Sequence, residues 1–553
     1  MNAIAIIGSG PTAIYTAQYL LAKGCNLSIV IFEKQDEAGK GTPYHPDWNE
    51  KEMLANIASI EIPALTQTLV DWMESHSDRE LDELGVARAD INERAFFPRV
   101  ALGEYFHDQL EKLKQKARIN GNSLHIKTNH KVLDINLIDD GAVLTVREDD
   151  GAISDWAFDY AVMATGHVWP KETEAHPGYF LSPWPAQALK NIENCHVGIR
   201  GTSLSAIDAM VALCVARGSF ERDEQGKMYY LPEPGTDDFR ITMMSRKGLL
   251  PEADFYHPIP YEPLRICTKQ AIKKLIDRLP CEELLDASYN LFKKELAACD
   301  PGYAESLNLD DLTLEEFSQA YFREREKNDT FEWAARNLKE AQINQESQFT
   351  VPWRYAILRM HENIARIAPH LPAEDHKRFS RYFKSIFVDD YATVPHESIE
   401  RLLAVHNAGK LDIIRLEGDY ILDTKNVDYG AMLIKDNWRI HFPAFIEATG
   451  QRALSIHEFP FPGLWEQGII KKATATDQNG KEKPIGGIAV DLDYHPLSDG
   501  IDTSGLYCLS IPFILGQFPF AQGITSSHDM GKKVALDILR QLSAQGMPLA
   551  MTA

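Results

Sequence analysis

The residues best placed to do chemistry near the N-terminus are Gly8, Gly10, Ala13 and Glu33. The first glycine permits a tight turn, the second lets the backbone approach a pyrophosphate, and the small third residue lets a helix pack close to its strand. Phosphates then lie on N–H groups at the positive end of the helix. Glu33, 23 residues beyond Gly10, is positioned to accept hydrogen bonds from a ribose. The pattern predicts a dinucleotide site; the alternative is a glycine turn in a non-binding α/β domain.

The elements needed to position these residues are present in the surrounding sequence. Residues 3–7 form a continuous apolar run, typical of a strand buried on both faces. Helical apolar spacing follows over 14–22, and Lys23-Gly24 is a helix stop. Residues 27–32 form a second apolar run that ends at Glu33. The order strand, glycine turn, helix, strand, acid makes the motif more specific than its glycines alone.

A second unit of the same kind begins at Cys195, with a strand over 196–200, a turn from Gly201 and a helix over 207–216. Gly201 and Ala206 fit the pattern, but Ser203 stands where the second glycine is expected. A Cβ there pushes the backbone from a pyrophosphate or requires a wider loop. The unit predicts a second dinucleotide site that departs from the usual pattern.

Arg246 and Lys247 follow the next apolar run, over 240–244. Basic side chains at the end of this strand can hold a ribose 2′-phosphate, which favours NADPH, with NADH as the alternative. The other interpretation is a solvated basic pair at a strand end.

Two Ala-Thr-Gly turns, at 164–166 and 448–450, each end an apolar strand after a small meander. Because each follows a predicted dinucleotide fold, we expect them to be paired crossovers between two domains.

The remaining elements predicted from periodicity are strands over 132–137, 142–147, 411–417, 431–434, 438–448 and 505–510, a hairpin-like excursion over 220–238, a helical insertion over about 265–405, and a helix over about 526–542.

Composition excludes several classes of protein. The chain has 553 residues, 44% of them hydrophobic, and a formal net charge of −23. An acidic surface repels phosphate backbones and anionic lipids, so we expect no nucleic-acid partner. The seven cysteines include no C-x-x-C pair, which disfavours a disulfide framework, a redox dithiol and a cysteine-rich zinc site; we expect no metal. No apolar run reaches the ~18 residues of a membrane span, and a cytoplasmic location is expected.

The chain resembles the two-dinucleotide-fold flavoproteins that carry FAD in the first fold and a nicotinamide cofactor in the second. More closely, it is similar to the bacterial FAD/NAD(P)-binding group that includes nitrosuccinate synthase, an L-aspartate N-monooxygenase. The matching stretches are Gly41-Thr-Pro-Tyr44, Met53-Leu-Ala-Asn-Ile-Ala58, Asp71-Trp72, Phe97-Pro-Arg99, Gly103-Glu-Tyr105, Ala164-Thr-Gly166, Leu204-Ser-Ala-Ile-Asp208 and Ser245-Arg-Lys-Gly-Leu-Leu-Pro251. Ser203 and the long insertion depart from the pattern.

The resemblance implies a catalytic role for Asn56, which matches the asparagine beside the oxygen-reacting carbon of the flavin in flavin monooxygenases. An Asn amide offers a donor and an acceptor, and a donor can stabilise a peroxide on the flavin where water is excluded. The alternative is an Asn that caps a loop or pairs with backbone.

Several further side chains have two interpretations each. Arg99 neutralises an FAD phosphate or holds an anionic substrate, or else forms a structural ion pair. Arg265 and Arg354 are candidate carboxylate clamps, against the ordinary expectation of surface arginines. Gln517, Gln522 and Gly523 precede a helix whose N-terminus would face the polar edge of the flavin; the alternative is a glycine-broken loop that covers a core.

The predicted fold class is α/β, with two dinucleotide-binding (Rossmann-like) three-layer domains and a helical insertion. The FAD domain is predicted at 1–190 plus 450–553, and the NAD(P)H domain, containing the insertion, at 191–449. The predicted cofactor-binding residues are Gly8, Gly10, Pro11, Thr12, Ala13, Glu33, Lys34, Thr42, Arg99, Val132, Thr165, Gly166, Gly201, Thr202, Ser203, Leu204, Ser205, Arg246, Lys247, Thr449, Gly450, Gln522 and Gly523.

The expected function is that of an FAD-dependent, NAD(P)H-consuming monooxygenase, which hydroxylates an amine or amino-acid nitrogen through a flavin hydroperoxide. The expected partners are O₂ and a small molecule, with L-aspartate as the candidate that the resemblance supplies. One alternative is an NAD(P)H-dependent flavin reductase or dehydrogenase that passes electrons to a quinone or another acceptor. A second alternative is a non-enzymatic FAD-bound sensor.

Overall fold

A computed structural model describes residues 2–22, 26–170 and 172–545. The predicted helix stop at Lys23-Gly24 lies outside these residues. The strands are β1 Asn2–Ile7, β2 Leu27–Phe32, β3 Ser123–Lys127, β4 Lys131–Ile138, β5 Gly141–Arg147, β6 Ile153–Phe158, β7 Tyr160–Met163, β8 Glu174–His176, β9 Tyr179–Phe180, β10 His196–Arg200, β11 Gly218–Arg222, β12 Met228–Pro232, β13 Arg240–Ser245, β14 Leu411–Arg415, β15 Ile421–Asp423, β16 Ala431–Lys435, β17 Trp438–Phe442, β18 Ala444–Glu447, β19 Lys472–Thr476, β20 Glu482–Ile488 and β21 Leu506–Cys508.

The α-helices connect and cover these strands. They are α1 Pro11–Leu21, α2 Leu69–Glu74, α3 Asp78–Glu83, α4 Arg99–Ile119, α5 Ala186–Lys190, α6 Leu204–Val215, α7 Lys269–Arg278, α8 Cys281–Cys299, α9 Pro301–Leu307, α10 Leu314–Lys327, α11 Thr330–Ser347, α12 Pro352–Ala365, α13 Ala373–Arg378, α14 Lys384–Tyr391, α15 His396–Asn407, α16 Pro462–Glu466, α17 Ile511–Ile514 and α18 Gly523–Ala544. Within the described ranges, no helix is long and apolar enough to cross a membrane.

The first large sheet has the strand order β21-β7-β1-β2-β3, and all of its neighbours pair in parallel. Most residues of its central strands are apolar and buried, as expected where helices cover both faces. Helix α18 crosses α1 so closely that a Cβ on Gly531 would lie 2.8 Å from the backbone nitrogen of Thr16. The C-terminal helix therefore completes the layer that begins at the first glycine loop.

The second large sheet has the order β14-β13-β10-β18-β9-β8, parallel from β14 to β9. Two parallel sheets, each with a glycine turn after its central strand, confirm the predicted α/β class with two Rossmann-like folds. Strands β8 and β9 belong to the second sheet, although the sequence placed residues 174–180 in the first domain.

One predicted strand is divided in the structure. Residues 438–448 form β17, in an antiparallel three-stranded sheet with β15 and β16, and β18, in the second large sheet. Pro443 lies between them and has no N–H to continue either ladder. The expectation of a single strand was wrong for this reason.

The predicted meander and hairpin are confirmed as β4-β5-β6 and β11-β12. The predicted helical insertion is confirmed as α7 to α15, and its core is a cluster of aromatic side chains that includes Phe292, Phe317, Phe383 and Phe387. The hairpin β19-β20 was not predicted.

Candidate active site

The first glycine loop is shaped by a close backbone approach. Gly8 has φ +101°, and a Cβ there would lie 2.3 Å from the carbonyl oxygen of Ala164. Gly10 and Gly41 face each other, and a Cβ on Gly41 would lie 3.2 Å from the Gly10 Cα. Gly10 is also the N-cap of α1 and provides no side-chain cap to its N–H groups. The loop therefore leaves an uncapped helix N-terminus at a place free of side chains, as a bound pyrophosphate requires.

Glu33 is buried at the end of β2, where its carboxylate accepts a hydrogen bond from the Ser9 hydroxyl at 2.6 Å and from the Gln35 N–H at 3.0 Å. The Ser9 hydroxyl oxygen in turn accepts the Gly39 N–H. The acid thus holds the glycine loop to the next turn, which is a structural task that the sequence pattern did not indicate. The adjacent Lys34 is exposed.

The other predicted contacts of the first fold lie in two places. Pro11, Thr12 and Ala13 form the first turn of α1, and the Thr12 hydroxyl bonds to Ser527 of α18. Thr42 begins a 3₁₀ turn, Thr42–Tyr44, directly after Gly41. Val132 is buried in β4 of the meander.

The second glycine loop repeats the geometry of the first. Gly201 has φ +141°, and a Cβ there would lie 2.4 Å from the carbonyl oxygen of Ala448. The backbone N–H of Ala448 donates to Arg200 at 2.9 Å, just as that of Ala164 donates to Ile7 at 2.9 Å. Each Ala-Thr-Gly turn therefore occupies the same position relative to its own glycine loop.

Ser203 is accommodated without backbone strain. Its φ of −112° and ψ of −158° are extended values, and its exposed side chain makes no capping hydrogen bond to α6. Thr202 is buried and donates its hydroxyl to the Leu249 carbonyl at 2.6 Å, which holds the loop against the segment after β13. Leu204 and Ser205 are half-buried at the start of α6. The N-terminus of α6 remains uncapped, as that of α1 does.

Arg246 and Lys247 have different surroundings, although the sequence treated them as a pair. Arg246 is exposed. The Lys247 ammonium lies 2.9 Å from Glu326 and 3.4 Å from the centre of the Phe322 ring, both on α10. Burial lowers its pKa, and Glu326 opposes that shift. Lys247 therefore ties the strand end to the helical insertion, which leaves Arg246 as the available cation.

The segment that carries Asn56 is held by the residues before α4. The backbone N–H of Ala55 donates to Phe97 at 2.9 Å, and that of Arg99 donates to Met53 at 2.9 Å. Among the residues that the structure describes, the buried Oδ1 of Asn56 has no hydrogen-bond partner. Asn56 therefore does not cap a loop through this oxygen.

Arg99 forms an ion pair between the two folds. Its Nη2 lies 2.8 Å from Oδ2 of Asp208 on α6, and its Nε donates to the Leu54 carbonyl at 3.2 Å. The two side chains are only 13% and 6% exposed. Burial raises the pKa of Asp208 to about 6, although Arg99 acts to lower it. This geometry favours the ion-pair interpretation of Arg99.

Asn56, Arg99 and Asp208 line one narrow cavity of about 10 Å³. Val394 and Pro395, which precede α15, close it from the insertion. Sequence reasoning singled out Asn56 and Arg99 but assigned no role to Asp208, because a carboxylate at the second turn of a helix carries no signal of its partner.

The Ala-Thr-Gly turns contribute a further pair of side chains. The Thr165 hydroxyl lies 2.7 Å from that of Ser510, and Gly166 has φ +69°. Thr449 and Gly450 are exposed. His167 and Gln451, which follow the two glycines, meet at this point: Gln451 Oε1 accepts the Val168 N–H at 3.1 Å. Burial lowers the pKa of His167, so this imidazole is neutral near pH 7.

Comparison with other proteins identifies the family of this chain. Residues 5–168 match the family described as FAD-NAD(P)-binding, and residues 268–391 match the YdhS-like middle domain. The uncharacterized protein YdhS of Escherichia coli strain K12 is 41% identical over 544 residues, which cover 98% of each chain. The chain belongs to the YdhS family.

Solved structures with similar folds are more distant from this YdhS-family chain. The ornithine hydroxylase of Pseudomonas aeruginosa is 13% identical with a TM-score of 0.49, over 98% of this chain and 100% of its own. The ornithine N-hydroxylase of Kutzneria sp. 744 is 14% identical with a TM-score of 0.47, over 97% and 99%. Similarities at this level identify neither a substrate nor an activity.

The FAD-NAD(P)-binding match confirms FAD and a nicotinamide as the cofactors predicted for this YdhS-family chain. These cofactors transfer hydride, so the protein is an FAD-dependent NAD(P)H oxidoreductase.

The YdhS-like middle domain packs against the C-terminal loop that the sequence placed near the flavin. Phe520 of this loop is buried in the aromatic core of the insertion, and His376 Nε2 lies 2.8 Å from the Gly516 carbonyl. Gln517 bonds to both backbone groups of Val490, so its task is structural. Gln522 is the exposed N-cap of α18, and Gly523, with φ +89°, begins that helix.

The two further arginine candidates in the YdhS-family chain differ. Arg265 is exposed. Arg354 is buried, 2.8 Å from Glu252, and its guanidinium lies over the Phe255 ring. Because Glu252 follows β13, this ion pair joins the middle domain to the second fold.

Proposed function

We propose that the protein is an FAD-dependent, NAD(P)H-consuming monooxygenase that hydroxylates the nitrogen of an amine or amino acid. The observation that supports this proposal best is Asn56, whose buried amide oxygen has no partner in the described chain and lines a cavity between the two folds. The resemblance to the nitrosuccinate synthase group makes L-aspartate the first substrate to try.

The first fold suits FAD because its glycine loop excludes side chains. Gly8 and Gly41 approach neighbouring backbone too closely for a Cβ to fit easily, Gly10 faces Gly41, and α1 has an uncapped N-terminus. Residues 10–13 would hold the pyrophosphate and Glu33 the adenosine ribose. When bound, FAD supplies the acceptor for hydride and the chemistry that activates oxygen.

The second fold suits a nicotinamide cofactor by the same criteria. Gly201 meets the Ala448 carbonyl, residues 201–205 would hold the pyrophosphate, and the exposed Arg246 would bind a 2′-phosphate. Lys247 would support the strand end through Glu326 and contact the cofactor less directly.

The domain division that we propose is an FAD domain of 1–190 plus 450–553 and an NAD(P)H domain of 191–449 around the insertion. The sheet membership of β1, β7 and β21 supports the discontinuous first domain. Strands β8 and β9, which precede residue 191, pair with the second sheet and form the link between the two.

The protein's own side chains would act on the substrate in three ways. The Asn56 amide would orient the reacting groups by hydrogen bonds. The Arg99–Asp208 pair would hold the two folds at a fixed distance from each other. Val394 and Pro395, which close the cavity from the insertion, would exclude water from it, and this would strengthen each polar interaction inside it.

The proposal is tested by supplying the purified flavoprotein with NADPH, O₂ and a panel of amines and amino acids that begins with L-aspartate. We expect one member to accelerate NADPH oxidation and to gain one oxygen atom, seen by mass spectrometry with ¹⁸O₂. Electron transfer to a quinone with no oxygen incorporation would instead identify a reductase. Failure of NADPH and NADH to reduce the flavin would identify a sensor.

A further inference from the structure

We propose that Glu61, Asp254 and His257 form the site that receives the ammonium group of the substrate and removes its proton. This inference rests on the proposed function, since it concerns the amine that would be hydroxylated. It assigns a substrate-recognition role to residues of the turn after Asn56 and of the segment before the middle domain.

Glu61 is fixed on the turn that follows Asn56. Its Oε2 accepts the Ala58 N–H at 3.3 Å, and its Oε1 accepts the Tyr261 hydroxyl at 3.3 Å. The Glu61 side chain is 23% exposed, and Tyr261 is exposed beside it. The carboxylate therefore lies where the Asn56 turn meets the segment before the middle domain, within reach of solvent.

His257 has a free nitrogen that faces Glu61. The residue is 6% exposed, and its Nδ1 lies 3.1 Å from the Phe255 carbonyl. Its Nε2 is buried, has no hydrogen-bond partner in the described part of the chain, and lies 3.8 Å from Glu61 Oε1. A buried polar atom without a partner is costly, and this one would be satisfied by a donor that contacts the imidazole nitrogen and the Glu61 carboxylate from one side.

Asp254 lies close enough to Glu61 and His257 for their charges to act on its carboxyl group. Its Oδ1 accepts the Thr393 hydroxyl at 3.2 Å, and its backbone N–H donates to Val394 at 2.8 Å. Val394 also lines the cavity that contains Asn56. Asp254 is therefore linked to the candidate reaction cavity through the backbone of Val394.

The charges of the site favour a cation. The titratable and charged groups that face it are Glu61, Asp254, His257, His396, Tyr261, Glu362 and Arg94. Burial and the charge of Glu61 raise the pKa of Asp254 to about 6. Glu61 and Asp254 raise the pKa of His257 against its burial. Glu61 and Asp254 therefore favour a positive charge at this position, on the His257 imidazole or on a bound ammonium.

The proton step is required because an ammonium nitrogen has no lone pair with which to attack. One N–H bond of the ammonium breaks and an O–H bond forms on the Asp254 carboxylate, while the electron pair stays on nitrogen. Asp254 becomes a neutral acid, which its buried position favours, and the amine becomes a nucleophile.

The test uses oxidised, FAD-loaded enzyme and butylammonium as the probe, with butan-1-ol as its uncharged counterpart, in titration calorimetry. We expect butylammonium to bind. Butan-1-ol should bind with an affinity at least about 10-fold lower. Asp254→Asn should weaken butylammonium binding by about 10-fold or more, because it removes one of the two negative charges. Asp277→Asn, at an exposed helical ion pair, should leave binding unchanged.

A second readout separates this role from a structural one. Butylammonium affinity should rise as pH rises through the pKa of His257, because the imidazolium then leaves the site. His257→Gln should bind the probe with an affinity that depends much less on pH. Equal binding of the amine and the alcohol, or an unchanged pH profile in His257→Gln with the fold intact, would overturn the inference.

This experiment requires neither NADPH nor O₂. Amine binding with the expected variants would support the site even if no oxygen were transferred. Oxygen transfer to an amine that Asp254→Asn binds and turns over normally would support the proposed function and reject the site.

Discussion

The Arg99 guanidinium lies 2.8 Å from the Asp208 carboxylate, and this buried pair joins α4 of the first fold to α6 of the second. Each helix begins close to a predicted cofactor contact, so under the proposed function the pair would hold the two cofactor sites at a constant separation. The cavity lined by both side chains also contains Asn56. Interdomain geometry and the candidate catalytic residue are therefore coupled through one ion pair.

Arg99→Ala should destabilise the protein. Removing one partner of a buried pair costs on the order of 3 kcal/mol or more, since the other charge stays desolvated. Thermal unfolding of the FAD-loaded protein measures the loss, and Arg79→Ala, at an exposed ion pair, is the control. A loss no greater than that of the control would contradict the structural role of the pair.

Asp208 should give the stability a measurable pH dependence. Its pKa of about 6 in the folded protein exceeds the ordinary value of 3.8, so between these values the folded state holds a proton that the unfolded state has released. Its contribution is therefore fully present below about pH 4 and is lost as pH rises through 6, by about 3 kcal/mol. Comparing denaturant unfolding of wild type and Asp208→Asn from pH 4 to 7 isolates it, and identical pH profiles would refute it.

The two glycine loops should have separable functions. Gly8→Ala places a Cβ 2.3 Å from the Ala164 carbonyl and should abolish FAD retention, whereas Gly201→Ala should keep FAD but abolish reduction by NADPH. Gly418→Ala, which meets no atom within 4 Å, is the matched control. Flavin absorbance before and after NADPH addition reports both properties. Loss of flavin in Gly201→Ala would show that the loops are not independent.

Arg246→Ala should weaken NADPH binding by about 10- to 100-fold, the value of one charge-assisted hydrogen bond, and leave NADH binding unchanged. Lys247→Ala should affect the NADPH/NADH preference much less, because Lys247 is paired with Glu326. Kd values for both nucleotides in both variants provide the comparison. An equal increase in the Kd for NADPH in the two variants would show instead that Arg246 and Lys247 bind the phosphate together.

Asn56→Ala should raise hydrogen peroxide release relative to hydroxylated product, since an unsupported oxygen intermediate decays before transfer. Peroxide and product are measured in the same reaction, with the exposed Asn426→Ala as the control. Unchanged coupling in Asn56→Ala would exclude the proposed role.

Local rules were sufficient to predict the glycine loops and the strands and helices that flank them, because tight turns and close backbone approaches need particular residues. They were insufficient for the contacts made across the fold. Nothing in the sequence near Phe520 shows that it enters the core of an insertion over a hundred residues away, and nothing near His257 indicates Glu61 as its neighbour. Ser203 was expected to disturb the second loop, yet an extended backbone accommodates it at no cost.

The most direct test of the central proposal is anaerobic mixing of the FAD-loaded protein with NADPH, followed by oxygenated buffer with and without an amine. We expect NADPH to bleach the flavin. Oxygen should then produce a transient absorbance distinct from oxidised and reduced flavin, and the correct amine should shorten its lifetime. Immediate return of the oxidised spectrum, unaffected by every amine, would contradict it.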